Sequence, residues 1–149
     1  KEYTLINCKS VLVMIGIGEM KDAVDKKIKE LRLEQKVIQL GKREDTSNLY
    51  KMMDAFLLPS LYEGLPVVLV EAQSSGLDCF VSDTTTKQVN LTELINFCSI
   101  KNSPTQWAKL MNQQIKKHKR EDYAEQMTNK GFDMKDVAKE LEKIYLSVV

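Results

Sequence analysis

The run Ala55-Phe56-Leu57-Leu58, halted by Pro59 and followed closely by Gly64 and Pro66, leaves the chain little choice of local fold. Consecutive apolar residues without polar alternation make a strand buried on both faces, the kind a parallel sheet uses. Pro59 has no N–H for a ladder, so the strand stops there. Gly64 permits a sharp turn, and Pro66 carries the φ preferred at the first helical position, which predicts a helix over 66–75. A strand, a tight turn and a helix start, in that order, aim unpaired helix N–H groups at the turn, where the helix dipole also favours negative charge. Two carboxylates flank this anion-attracting corner. Glu63 sits in the turn, and Glu71 about a turn and a half into the helix.

The rest of the chain repeats the theme, alternating short apolar strands with amphipathic helices, which predicts an α/β fold with a parallel sheet covered on both faces. Strands are expected over 11–15, 37–40, 55–58, 78–82 and 96–100. After Gly16-Ile17-Gly18, Met20, Val24, Ile28 and Leu31 share one helical face, and Thr46 or Ser47 caps a helix with Leu49, Met52 and Met53 inward. Beyond residue 101 the pattern is helical only. Ser103-Pro104-Thr105-Gln106 reads as a capping box, with Trp107, Leu110, Met111 and Ile115 following on one face. A further helix carries Tyr123, Ala124 and Met127 and stops at Gly131. The last begins near Asp133, with Val137, Leu141, Ile144 and Val148 inward.

Composition narrows the function classes. A net charge of +1 over 149 residues gives no global electrostatic case for nucleic acid. Cys8, Cys79 and Cys98 are odd in number and scattered, which predicts buried reduced thiols in a cytoplasmic protein rather than a disulfide framework. No apolar run approaches the ~20 residues of a membrane span, and Lys1-Glu2-Tyr3 does not open a signal peptide, so a soluble chain is expected. Without a DxD triplet or a His/Cys cluster, neither a metal nor another cofactor is expected.

Acidic residues beside an anion site specify a ligand that is both anion and hydroxyl donor, as a sugar diphosphate is. Here Pro59-Ser60, Glu63-Gly64-Leu65-Pro66 and Glu71-Ala72 resemble the Glu, seven residues, Glu motif of retaining glycosyltransferases of the GT-B fold, the family 4-like type of capsular and exopolysaccharide biosynthesis. Val37-Ile38-Gln39-Leu40-Gly41 resembles the family's strand ending in glycine, and Asp54 through Ser60 its strand closed by Pro-Ser. Glu71-Ala72-Gln73 with Gly76 matches its Glu-Ala helix, and Val81-Ser82-Asp83 follows in order. Motifs in sequence over 11–83 make the match specific.

The resemblance implies the C-terminal, donor-binding half of a GT-B fold: a Rossmann-like core over 1–101 and C-terminal helices over 102–149. It also implies an acceptor domain outside this chain, together with an arginine and a lysine that grip the diphosphate, so the isolated chain is expected to be inactive. The substrate is then a nucleoside-diphosphate-sugar, and the acceptor a glycan or a lipid-linked glycan. As implied catalytic residues, Glu71 takes the ribose hydroxyls and Glu63 those of the transferred sugar. Backbone at Gly64, Leu65, Pro66 and Val67 meets the diphosphate, Gly41, Lys42 and Arg43 lie against the base, and Gly16 and Gly18 admit the ligand closely. Family members retain anomeric configuration, with the leaving phosphate helping to deprotonate the acceptor.

Plainer readings stand beside these. Lys21 occupies the third glycine position of a dinucleotide fingerprint, which disfavours NAD, and Gly16-Ile17-Gly18 is either a ligand contact or an ordinary strand-to-helix turn. Asp54 is a helix-end or turn residue and Asp83 a candidate for the pocket rim, while Thr84-Thr85-Thr86 stands where many family members carry Gly-Gly. His118 lies in Lys116-Lys117-His118-Lys119-Arg120, a solvated basic face rather than a catalytic base. The helix ending there either covers the sheet or rests peripherally on anionic lipid at the inner face of a membrane. Rival functions are a sugar-nucleotide epimerase of the same fold and a non-catalytic nucleotide-binding module. A retaining glycosidase is disfavoured, because helix N-terminal amides suit a phosphate leaving group.

Overall fold

The computed structural model describes residues 1–115 and 120–147. In chain order its elements are α1 (Glu2–Ile6), β1 (Leu12–Ile15), α2 (Lys21–Glu30), β2 (Val37–Gly41), α3 (Thr46–Met52), β3 (Ala55–Leu58), α4 (Val67–Ser74), β4 (Asp78–Ser82), β5 (Ile95–Cys98), α5 (Pro104–Gln114), α6 (Ala124–Asn129) and α7 (Met134–Ser147), with one 3₁₀ turn at Lys87–Val89. They fall into two compact units, one of Lys1–Asn48 with Asn102–Gln114, the other of Leu49–Lys101 with the chain from Ile115 onward.

In the first unit β1 and β2 pair in parallel, Leu12 opposite Val37, with a register slip after Met14 that sets Ile15 against Gly41. Leu12, Met14, Ile15 and Ile38 are 46%, 37%, 37% and 49% exposed, so the expected burial of both faces does not extend to this pair. A two-stranded ladder has no inner strand, and double-sided burial belongs to inner strands. On α2, Val24, Ile28 and Leu31 are half-buried as the periodicity predicts, whereas Met20 precedes the helix and is exposed. The capping box of α5 forms: the Ser103 N–H donates to Gln106 Oε1 at 2.8 Å, and the Gln106 N–H donates to Ser103 Oγ at 3.3 Å. Trp107 and Ala108 are buried on that helix, and α1 packs against it. The five residues of α1 give no periodicity to read.

The second unit is a parallel sheet in the order β3-β4-β5, with Ala55 opposite Asp78 and Cys79 opposite Ile95. Its central strand β4 is buried at every position, and β3 and β4 have the bounds expected. β5 ends at Cys98 instead of running to Ile100, because the Ile100 N–H turns to Asp83 Oδ1 at 3.1 Å. α4 packs on β4, and Tyr50, Leu69, Ala72, Leu77, Cys79, Val81 and Val89 form the core. Burial pushes the Cys79 thiol well above its usual range, and Cys98 is buried too, but Cys8 is exposed, contrary to expectation.

Helix α3 buries Leu49 and Tyr50 and leaves Met52, expected inward, 71% exposed. At about 100° per residue Met52 lies ~160° from Tyr50 around the helix, so the two cannot share the core face. The end of α3 is capped from far along the chain: the Arg120 guanidinium donates to the carbonyls of Tyr50 at 3.0 Å, Lys51 at 2.7 Å, and Met53. Arg120 is therefore not part of a solvated basic face, contrary to expectation; Lys116 to Lys119, His118 among them, lie outside the described residues. Met127 is buried on α6, and Gly131 takes a φ of +83° just beyond it, the helix stop expected there. On α7 Val137 is half-buried, but Leu141 and Ile144, expected inward, are 47% and 57% exposed, and Val148 lies outside the described residues. Periodicity establishes an apolar stripe without saying what covers it.

Candidate functional site

The corner after β3 is built as the sequence suggests, with one shift. Pro66 has φ −75° and ψ 107°, an extended conformation, so α4 starts at Val67 with Pro66 in front of it rather than inside. The Leu69 N–H closes on the Pro66 carbonyl at 3.0 Å, and the N–H groups of Val67 and Val68 have no acceptor within the helix. Gly64 does not take a positive φ, and a methyl group there would meet nothing within 4 Å, so the turn does not demand glycine. Space stands open above it.

Glu71 follows Val67 by four residues and shares its face of α4. Helical side chains lean toward the helix N-terminus, the end at which the open amides lie. Glu71 is exposed, and its Oε2 accepts a hydrogen bond from Tyr50 Oη at 3.1 Å. Burial and the neighbouring Glu71 carboxylate push the Tyr50 phenol far above its ordinary value, so it remains a donor across the physiological range. Glu63 is half-buried in the turn.

Hydroxyls pin the chain leading into that turn. Thr84 Oγ1 donates to the Ser60 carbonyl at 3.0 Å, Ser82 Oγ donates to the same oxygen at 2.5 Å, and the Ser82 hydroxyl also lies within hydrogen-bond distance of Thr84 and Thr85. Thr84, one of the threonines standing in place of Gly-Gly, thus joins Ser82 in stitching the end of β4 to the chain just beyond β3. Asp83 serves the structure, since hydrogen bonds from the Ile100 N–H and from Ser99 hold its carboxyl below the usual range. Asp54 lies in the bend between α3 and β3, as expected.

Gly16, Gly18, Gly41, Lys42 and Arg43 belong to the first unit, whereas Glu63, Gly64, Leu65, Pro66, Val67 and Glu71 belong to the second. Within the first, the register slip brings Gly16 and Gly41 together, the Gly16 N–H donating to the Gly41 carbonyl at 2.8 Å, with φ of +130° and +65°. The φ at Gly16 calls for glycine, and the left-handed φ at Gly41 favours it. Gly18 offers its carbonyl to the Lys21 N–H at 3.3 Å, opening α2, and a methyl group at any of the three glycines would meet open space. The Arg43 guanidinium forks onto Asp45 at 2.8 and 2.7 Å, which keeps the Asp45 carboxyl low.

Open amides and a hydroxyl-accepting carboxylate on one helical turn suit a phosphorylated, hydroxyl-rich ligand. Residues 6–134 match the family described as glycosyl transferases group 1. The chain belongs to that family. It is 34% identical over 137 residues to EpsF of Bacillus subtilis (strain 168), covering 90% of this chain and 36% of EpsF. Over 75 residues it is 44% identical to the UDP-Gal:alpha-D-GlcNAc-diphosphoundecaprenol alpha-1,3-galactosyltransferase of Escherichia coli, covering 50% of this chain and 19% of that protein. In fold it is similar to the lipopolysaccharide outer core galactosyltransferase WaaB, with a TM-score of 0.60 and 24% identity over 71% of this chain and 32% of that one. WaaG, a glycosyltransferase involved in lipopolysaccharide biosynthesis, gives a TM-score of 0.55 at 16% identity over 74% of this chain and 40% of that one. The group 1 chain described here thus spans only about a third of EpsF and WaaB, and its parallel sheets flanked by helices are the expected α/β class. Among the described residues no helix is long and apolar enough to cross a membrane.

Proposed function

We propose that this chain is the donor-binding unit of a retaining glycosyltransferase, one that moves a sugar from a nucleoside-diphosphate-sugar to a glycan or lipid-linked acceptor in surface polysaccharide assembly. The observation that carries the reading is the start of α4, where the Val67 and Val68 amides have no acceptor within the helix and Glu71 follows Val67 by four residues. Breaking the sugar–phosphate bond builds negative charge on the leaving diphosphate, and fixed amides there lower the barrier without reorganising. Glu71 accepts from the ribose hydroxyls and Glu63 from those of the transferred sugar. The departing phosphate takes the acceptor proton, a scheme that asks for no metal. Membership of the glycosyl transferase group 1 family and likeness to EpsF support the reaction class. Residues that hold the acceptor are placed outside this chain, which by itself binds donor weakly and transfers no sugar; any peripheral contact with a membrane belongs to the same proposal.

The division of labour between the glutamates is testable on the chain itself by titrating ADP, GDP and UDP into wild type, Glu71→Ala and Glu63→Ala. A hydrogen bond to a charged group is worth about 1.5–3 kcal/mol, so Glu71→Ala weakens the preferred diphosphate by tenfold or more. Glu63→Ala stays within about twofold of wild type, since a free nucleoside diphosphate carries no transferred sugar. Equal affinity in all three proteins would sink the assignment of Glu71.

A further inference from the structure

Tyr50 is a core residue whose hydroxyl the core does not need. Its ring is 5% exposed among Leu69, Ala72, Leu77 and Cys79, and it meets Phe56 edge-on with ring centres 5.9 Å apart. A phenylalanine fills the same volume. Arg120 grips the Tyr50 carbonyl at 3.0 Å, so the backbone beneath the ring is fixed as well. From this clamped base Oη reaches to the edge of the core and donates to Glu71 Oε2 at 3.1 Å. Glu71 Oε1 makes no hydrogen bond to any described residue, and the side chain is otherwise exposed. One carboxylate oxygen is taken by a rigid donor while the other stays open.

We propose that Tyr50 is the positioning residue of the donor site, holding the Glu71 carboxylate so that its open oxygen is ready for the vicinal hydroxyls of a ribose. The inference rests on the reading of Glu71 as the ribose acceptor. It is set by a contact spanning 21 residues of sequence. Preorganisation of this kind gains affinity by sparing a flexible glutamate the loss of freedom at the moment of binding. If Glu71 merely gave a buried phenol somewhere to donate, losing the hydroxyl would alter stability and leave nucleotide discrimination alone.

The test is an NMR titration of wild type and Tyr50→Phe with ADP, GDP and UDP and with the 2′,3′-dideoxy form of each. The wild type binds its preferred ribonucleoside diphosphate more tightly than the dideoxy form. Tyr50→Phe loses about fivefold in affinity for the ribose form and nothing for the dideoxy form. A wild type indifferent to the ribose hydroxyls overturns the reading of Glu71 and this proposal with it. A wild-type preference that Tyr50→Phe keeps undiminished, or an equal loss for both forms, overturns the proposal alone. Should Tyr50→Phe fail to fold, 3-fluorotyrosine at position 50 keeps ring and hydroxyl. Its ¹⁹F resonance then moves on adding the ribose form and not the dideoxy form, and identical responses to the two count against the proposal.

Discussion

Gln73→Leu lowers the stability of the chain by about 3–5 kcal/mol, the largest effect expected of any single exchange on α4. Gln73 is fully buried, and its amide is used completely. Nε2 donates to the carbonyls of Leu69 at 3.0 Å and Val89 at 2.9 Å, while Oε1 accepts from the Leu91 N–H at 3.2 Å, the Thr92 N–H at 3.1 Å and Thr92 Oγ1 at 2.9 Å. One side chain thus ties the helix bearing Glu71 to the loop that leads from the 3₁₀ turn into β5. Leucine matches the volume but strands two buried backbone N–H groups, each costing about 1–3 kcal/mol when left unpaired. Urea denaturation read at the midpoint and slope measures it. A loss under about 1 kcal/mol would show that the loop re-pairs and that the amide is dispensable.

Gly76→Ala costs about 2–5 kcal/mol for two separable reasons. Gly76 ends α4 with a φ of +70°, and a Cβ there would run into the Glu121 carbonyl oxygen and come within 2.6 Å of Arg120 Cγ. The left-handed conformation costs alanine about 1–2 kcal/mol, and pushing backbone aside costs about 1–3 kcal/mol more. Movement at Arg120 also pulls its guanidinium from the carbonyls that close α3, the helix carrying Tyr50. Gly76→Asn separates the terms, because asparagine tolerates the left-handed region but still brings a Cβ. Thermal unfolding of both variants gives asparagine about 1–3 kcal/mol, the clash alone, against about 2–5 kcal/mol for alanine. A fully stable Gly76→Asn would mean that the chain at 120–121 yields freely.

How much of the fold and site is legible in the sequence depends on range along the chain. β3 and β4 stand in the sequence to the residue, because a short apolar run, Ala55 to Leu58 before Pro59 and Cys79 to Val81 between Gly76 and Asp83, is a local signal. The Ser103–Gln106 box is equally local, and so are Glu63 and Glu71 in their turn and helix. Tyr50, Gln73 and Arg120 are not visible as site-building residues. The inward pattern of Leu49, Met52 and Met53 passes over Tyr50, Gln73 stands only as part of the Glu-Ala helix match, and Arg120 reads as the end of a charge run; the partners cited for them lie 16 to 70 residues away. Nor can the helical period of α7 or the apolar strands β1 and β2 say whether their stripes are covered. The threonines at 84–86 look like a departure from the family in sequence; in the fold Thr84 ties to the Ser60 carbonyl beyond β3, Thr85 meets the Ser82 hydroxyl, and Thr86 caps the 3₁₀ turn.

The central claim is that a nucleoside diphosphate sits on the first turn of α4 with its ribose at Glu71. The most direct measurement is a ¹H–¹⁵N NMR titration of the chain with ADP, GDP and UDP, following every assigned amide. The account predicts saturable shifts in the millimolar range, with the largest at Gly64, Leu65, Val67 and Val68, lost together in Glu71→Ala. Saturable shifts confined to amides away from the Gly64–Val68 corner, or no saturable shifts with any of the three, would contradict it.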